Sequence, residues 1–268
     1  MTRSVGIVVP AYCPDPERLS AYLDALAARL DPTVLRVELD APRPDIRDRL
    51  GSLPDCVQLA TADRRRGKGT AITAGFEALV DDVDVVAFAD ADGSTPSDSF
   101  ATVVTTVTDG DADLAVGSRR HPAADVATHQ TLARRRLGDG FAWLARRMLD
   151  ESLYDYQCGA KALTAEAWRD VREHLYEPGF AWDIELVAVT GALDHRIVEV
   201  PVRWEDQPGS TVETVGTTLR LGRALVTARH RARLLREDRL HELLAAGRNE
   251  RSLLERLAAA DTEAVEAD

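Results

Sequence analysis

The chain has 268 residues, 45% hydrophobic and 29% charged, with a formal net charge of -12. That length can bury a full hydrophobic core without staples, and the apolar runs fall far short of the ~20 residues that a bilayer span needs. The acidic balance disfavours a general nucleic-acid binder, and Cys13, Cys56 and Cys158 are spaced for neither a zinc site nor a disulfide framework.

The apolar run at residues 5–9 is shorter than the ~7–15 residues of a signal-peptide core, so a cytoplasmic chain is expected. Only two of the 33 basic residues are lysines, Lys68 and Lys161. A lysine-poor, carboxylate-rich surface suits a halophilic, salt-adapted cytoplasm, although high-GC coding alone gives the same bias towards Arg and Ala. Taken in order, β-rich runs at 5–9, 34–37, 57–60, 83–89 and 114–116 alternate with helical patterns at 16–30, 45–50, 70–80 and 97–108. This alternation predicts a parallel α/β sheet with helices on both faces. Beyond residue 130 come a basic amphipathic helix at 131–149, helical stretches at 164–174 and 182–189, a strand at 196–202, and helices at 217–237 and 240–257. The expected organisation is one α/β domain over residues 1–212 and a helical extension over 213–268, whose acidic, alanine-rich end from 258 frays.

Ligands of open α/β sheets bind beyond the carboxyl ends of the strands, so the residues there come first. The fourth strand ends in Asp90-Ala-Asp92-Gly93-Ser94-Thr95, two carboxylates one residue apart followed by a glycine turn. Alone, such a pair reads first as an ordinary solvated turn with Asp90 capping the next helix, since Asp and Gly are ordinary turn residues. Beside a phosphate it offers hard oxygen ligands to Mg2+ or Mn2+. Its partners favour the second reading. Asp63 to Thr70, containing Arg66-Gly67-Lys68-Gly69, opens a helix after the third strand and can turn amides and cations toward a phosphate. Gly117-Ser118-Arg119 follows the fifth strand to the same edge.

In order along the chain, residues 7–12 (IVVPAY), 66–69 (RGKG), 90–95 (DADGST), 117–119 (GSR), 155–161 (DYQCGAK), 182–186 (WDIEL) and 198–204 (VEVPVRW) together resemble the family 2 glycosyltransferases of GT-A fold. The subgroup most similar is the dolichyl-phosphate mannose and glucose synthases. The resemblance covers about residues 4–212 and implies a Rossmann-like, mostly parallel sheet with helices on both faces, followed by C-terminal helices. It implies that Pro10, Ala11 and Tyr12 flank a nucleotide, that Asp40 touches base or ribose, and that Gly67, Lys68 and Gln157 line the substrate. It also implies that Asp90 and Asp92 hold metal and diphosphate, with Ser94 in the place of a third ligand. The sequence departs from the family pattern at Asp40-Ala-Pro-Arg43 and Cys13-Pro-Asp15, which leaves the base, and so UDP-glucose or GDP-mannose as donor, open.

The acceptor decides which catalytic groups are needed. A lipid monophosphate has a second pKa of roughly 6, so its dianion is a nucleophile near neutral pH and needs cations rather than a general base. Arg119 and Arg134, Arg135 and Arg136 suit a polyprenyl or dolichyl phosphate, since guanidinium binds phosphate in two-pronged fashion. For the three consecutive arginines, a solvated helix face is the other reading. A hydroxyl acceptor, soluble or polysaccharide, requires a carboxylate base, with Asp183 the first candidate and Asp155 the next. Trp204 either covers the site or packs in the core. Catalytic roles therefore fall on Asp92, Arg119 and Asp183. The expected reaction is inverting hexose transfer, with peripheral contact at the cytoplasmic membrane face through the helix at 131–149.

Overall fold

Residues 3–126, 132–205, 214–237 and 251–266 are described by a computed structural model, the side chains of 132–137, 139, 214–220, 261 and 263–266 excepted. Strand β1 (Val5–Tyr12) leads into helix α1 (Pro16–Leu30), which starts where Asp15 accepts a hydrogen bond from the amide of Arg18 and where proline can occupy the first turn. Then follow β2 (Val34–Asp40), α2 (Ile46–Leu50), β3 (Val57–Ala62), α3 (Lys68–Glu77), β4 (Val85–Ala89), α4 (Ser97–Thr108) and β5 (Leu114–Ser118). The predicted alternation is the observed one over this half, and α1 and α4 have the expected bounds.

The second half holds the short β6 (Asp125–Val126), α5 (Leu132–Met148), β7 (Ala160–Thr164), α6 (Ala165–Val171) with a 3-10 turn at Arg172–His174, α7 (Trp182–Ala192), β8 (Ile197–Pro201), β9 (Arg203–Trp204), α8 (Thr214–Leu235) and α9 (Leu253–Glu266). The main sheet has the order β3-β2-β1-β4-β7-β5-β8, while β6 and β9 pair separately. All neighbours in the main sheet run parallel except β7, which is antiparallel to both β4 and β5. Because β7 runs against its neighbours, its amino end lies at the edge where β4 and β5 finish. That reversal carries residues 155–161 to the same place as Asp90 and Arg119.

Alternation within strands divides the core between two faces. Ile7, Val9, Val85 and Ala87 pack with Leu19, Leu23, Leu26 and Phe100 on one side. On the other, Val8, Val86 and Phe88 pack with Phe76, Trp168 and Trp182. Leu225 and Ala228 of α8 and Leu253 of α9 join this second cluster, so the C-terminal helices help close it.

Strand β7 was not among the predicted strands, because Lys161 interrupts its apolar run. Of the helix predicted at 240–257, residues 240–250 lie outside the described residues, and α9 begins at Leu253. Its start is a capping box: the Ser252 amide donates to Glu255 and the Glu255 amide to Ser252 Oγ. This helix runs to Glu266, further into the acidic end than the composition suggested. Among the described residues, no helix is long and apolar enough to cross a membrane.

Candidate active site

Asp90 stands one residue beyond β4, where its amide donates to Gly159 O at 2.9 Å. Gly159 leaves the space its carboxylate occupies: a Cβ there would lie 1.8 Å from Asp90 Oδ2. Lys68, the first residue of α3, brings its Nζ to 2.8 Å from Asp90 Oδ1. Asp92 accepts a hydrogen bond from the Ser94 amide at 2.9 Å. Desolvation, and then repulsion from Asp90, raise the Asp92 carboxyl above its ordinary value. The turn is held from behind by Tyr22, whose ring lies against Gly93 and whose hydroxyl donates to Thr95 O at 2.7 Å. Gly93 has φ 68, a conformation that glycine adopts without strain. Ser94 is buried, and its carbonyl accepts from the Glu205 amide.

Behind Lys68 lies a buried ion-pair chain. Asp183, in the first turn of α7, accepts from Lys68 at 3.1 Å and from Lys161 at 2.5 Å. Lys161 is fully buried on β7 and also donates to Cys158 O at 2.8 Å. Both ammonium groups lie near the Phe88 ring, at 5.1 and 5.5 Å from its centroid. Burial alone would raise the Asp183 carboxyl, yet Lys161 and Lys68 hold it below its ordinary value. Likewise, burial would lower Lys68, but Asp183 and Asp90 hold it above its ordinary value. Asp183 is 1% exposed and saturated with cations, the surroundings of an ion-pair hub rather than of a base that receives a proton from a substrate.

Arg119, just past β5, meets Asp155 through two prongs, Nε to Oδ2 at 2.7 Å and Nη2 to Oδ1 at 3.1 Å. The Asp155 loop is fixed in turn by Glu199, which accepts from the amides of Tyr154 and Asp155, and the Gln157 amide donates to Asp155 Oδ1. Trp204 is buried, and its ring centroid lies 5.7 Å from the Arg119 guanidinium, so it packs and flanks the site at once. Cys158 is fully buried beside them, and burial pushes its thiol up to about 12.

On the β1 and β2 side, Ala11 is buried, Pro10 half-buried and Tyr12 exposed, with the Arg65 guanidinium 4.1 Å from the Tyr12 ring centroid. Asp40 is buried, accepting from the Arg66 amide, the Gly67 amide and Arg66 Nε, while Glu38 accepts from Arg66 Nη2. These bonds shape the loop that presents Lys68. Gly67 has φ 95, and a Cβ there would come within 2.5 Å of Pro178 O. The Thr70 amide donates to the same carbonyl, which joins the start of α3 to the loop before α7.

The fold thus brings Pro10, Ala11, Tyr12, Asp40, Gly67, Lys68, Asp90, Asp92, Ser94, Arg119, Gln157 and Asp183 to strand ends, helix starts and loops around one sheet edge. The side chains of Arg134, Arg135 and Arg136 lie outside the described residues, as does the whole of 127–131. Gly159, Lys161 and Glu199 lie inside the motifs at 155–161 and 198–204 but were assigned no role there, and Glu38 lies outside every motif; Lys161 stands out further as one of two lysines in an arginine-rich chain.

The donor set suits a hard divalent cation: two carboxylates at one strand end, one drawing an ammonium and the other destabilised as an anion by desolvation and then by its neighbour. Among the described residues, no group of three or more His, Cys, Asp or Glu gathers to hold a metal. Coordination by Asp90 and Asp92 would therefore be completed by substrate and water.

The family model "Glycosyl transferase family 2" matches residues 7–169. Glycosyltransferase AglD of Haloferax volcanii is 29% identical over 228 residues, 81% of this chain and 36% of that protein. The dolichyl-phosphate beta-glucosyltransferase of Mus musculus is 30% identical over 182 residues, 66% of this chain and 56% of that protein. The chain therefore spans between about a third and somewhat over half of these relatives' lengths. Among solved structures, glucosyl-3-phosphoglycerate synthase from Mycobacterium tuberculosis, in complex with Mn2+, UDP-glucose and phosphoglyceric acid, shares the fold with a TM-score of 0.62. It is 16% identical, with 85% of this chain and 80% of that one covered. A sheet edge carrying Asp90, Asp92, Lys68 and Arg119, and a family match over more than half of the residues, have one common meaning: the chain belongs to glycosyl transferase family 2.

Proposed function

We propose that the protein is a metal-dependent, inverting hexosyltransferase that moves glucose or mannose from a nucleotide sugar to a polyprenyl or dolichyl phosphate. The observation that carries this reading is the state of the carboxylates. Asp183 is buried between two lysines and Asp155 is locked to Arg119, so both candidate bases are already engaged as anions. A hydroxyl acceptor needs a base with proton affinity to spare, whereas a phosphate dianion needs none. The relatives' names support the same acceptor class, and glucose is the hexose that the mouse relative's name carries.

In this reading Asp90 and Asp92 hold Mg2+ or Mn2+, which when bound neutralises charge on the departing diphosphate. Lys68 adds a cation at the same carboxylate, and the half-exposed Tyr12, with Pro10 and Ala11, flanks the nucleotide. Arg119 faces the acceptor phosphate, with Arg134 to Arg136 assigned the same anion. An oxygen of the acceptor phosphate attacks the anomeric carbon from the side opposite the leaving group. That bond forms as the bond from carbon to the diphosphate oxygen breaks, and the nucleoside diphosphate departs with the electron pair. Gln157 lines the substrate, and Ser94 stands next to the metal ligands. The reaction is placed at the cytoplasmic face of a membrane.

The test is transfer of labelled sugar from UDP-glucose, GDP-mannose and UDP-N-acetylglucosamine to a short-chain polyprenyl phosphate, with phosphoglycerate and simple alcohols as alternative acceptors. Glycosyl-phosphoryl lipid as the main product is expected. Transfer to hydroxyl acceptors alone would overturn the reading.

A further inference from the structure

Lys161 belongs to no step described above, yet it is fully buried and its ammonium is spent on Asp183 and a carbonyl. The chain uses arginine for 31 of its 33 basic residues, and both lysines meet at one carboxylate. A compact ammonium with three donors fits between Asp183 Oδ1, Cys158 O and the Phe88 ring, where a planar guanidinium would need more room. Four charges of alternating sign run inward from the sheet edge: Asp90, Lys68, Asp183, Lys161.

Lys68 is shared along this chain, 2.8 Å from Asp90 and 3.1 Å from Asp183. How it divides itself depends on how far Asp183 is already neutralised, because a buried carboxylate left with one partner draws that partner more strongly. We propose that Lys161 is a positioning residue: by neutralising Asp183 from behind, it releases Lys68 to Asp90 and so sets how much negative charge Asp90 presents to a metal ion. Removing Lys161 pulls Lys68 back to Asp183 and leaves Asp90 uncovered. Removing the charge of Asp183 does the reverse and commits Lys68 to Asp90. This deepens the metal-dependent reading of Asp90 and rests on it.

The experiment uses the full chain, isotope-labelled at lysine, so that only two side-chain ammonium signals exist and Lys161→Met assigns them. The Lys68 signal is followed without metal in the wild type, in Lys161→Met and in the near-isosteric Asp183→Asn. Mn2+ affinity is then measured for each by electron paramagnetic resonance, with no donor or acceptor present. Expected is a displaced Lys68 signal in both variants, with Mn2+ bound about three- to tenfold more tightly by Lys161→Met and more weakly by Asp183→Asn. General loosening of the fold would move both affinities the same way. In a Lys68→Met background the effect of Lys161→Met should vanish, as it must if it acts through Lys68. An unmoved Lys68 signal in the folded variants, or Mn2+ affinities shifted in the same direction, overturns the proposal. If Lys161→Met does not fold, Asp183→Asn decides by its Lys68 signal and by whether its effect on Mn2+ affinity vanishes in the Lys68→Met background. A displaced Lys68 signal in a protein that binds no Mn2+ at all would uphold the positioning role and strike only the metal reading.

Discussion

Arg119 and Asp155 form a two-pronged ion pair between the end of β5 and the loop entering β7, with Nε to Oδ2 at 2.7 Å and Nη2 to Oδ1 at 3.1 Å. The pair fixes the direction of the guanidinium, and the Asp155 amide is itself held by Glu199. Burial alone would raise the Asp155 carboxyl, but Arg119 holds it below its ordinary value of 3.8. An acid with a depressed folded-state pKa contributes stability above its unfolded value and loses it as pH falls through the folded one. Asp155→Asn is therefore expected to cost about 3 kcal/mol at neutral pH, the lower end for a buried pair because Arg119 keeps some contact with water. Its stability should also fall less steeply than that of the wild type below pH ~4, since the titrating group is gone. Urea unfolding at several pH values measures both. Arg119→Ala should in addition reduce transfer to polyprenyl phosphate, and Arg119→Lys should not restore it, because a single ammonium cannot reproduce the two-pronged contact.

Gly159→Ala tests the fit between β7 and Asp90, one of the two carboxylates proposed to hold the metal. The added Cβ would lie 1.8 Å from Asp90 Oδ2 and 2.1 Å from its Cγ, so the carboxylate must turn away. Activity is expected to fall about a hundredfold, because displacement of a positioning group by an ångström costs that much. Mn2+ affinity should fall with it while far-ultraviolet circular dichroism stays the same. Unchanged Mn2+ affinity in a folded variant would show that Asp90 does not depend on this contact.

Much of the donor side was legible because it depends on local order. A strand that ends in Asp90-Ala-Asp92-Gly93 and a helix that opens at Lys68 announce themselves by pattern, and the α/β alternation puts both at one edge. What stayed hidden depends on the one reversed strand. Only when β7 is seen to run antiparallel between β4 and β5 does Gly159 meet Asp90 and Lys161 meet Asp183. Lys161 conceals that strand, since a charge in a short apolar run reads as an interruption. Asp183 stood out by its motif, but its two lysine partners come from α3 and β7, and no spacing along the chain reveals them.

Dependence on a divalent cation is a separate expectation. Excess EDTA should abolish turnover and Mn2+ or Mg2+ should restore it, since Lys68 is the only lysine beside Asp90 and one ammonium does not balance a diphosphate. Asp92→Asn should lower turnover by at least about a thousandfold at saturating metal, the scale on which preorganised charge stabilisation acts. Stopped donor hydrolysis and stopped transfer should coincide. Full activity in EDTA, by either assay, contradicts the assignment.

The last expectation concerns α5. Its inward side buries Ala142 and Ala145, with Leu149 buried just past its end, and the opposite side exposes Trp143 at 56% and Leu144 at 38%, with the Arg147 guanidinium 5.4 Å from the Trp143 ring centroid. The sequence suggested arginines on one side and apolar residues on the other; here Trp143, Leu144 and Arg147 share the exposed side, while Phe141 and Met148 pack against the core. An apolar ring flanked by a cation suits the boundary between headgroups and acyl chains, where the ring enters the apolar layer and the cation stays with the phosphates. Binding to vesicles rich in anionic lipid should therefore be measurable by co-sedimentation, and should weaken as salt rises from about 50 mM to about 500 mM. Trp143→Ala with Leu144→Ala should weaken it about tenfold further at low salt, while donor hydrolysis, which needs only the sheet edge, stays at the wild-type rate. If the double variant partitions as the wild type does, α5 is not the membrane-facing element, and the exposed ring must be explained by a protein neighbour instead.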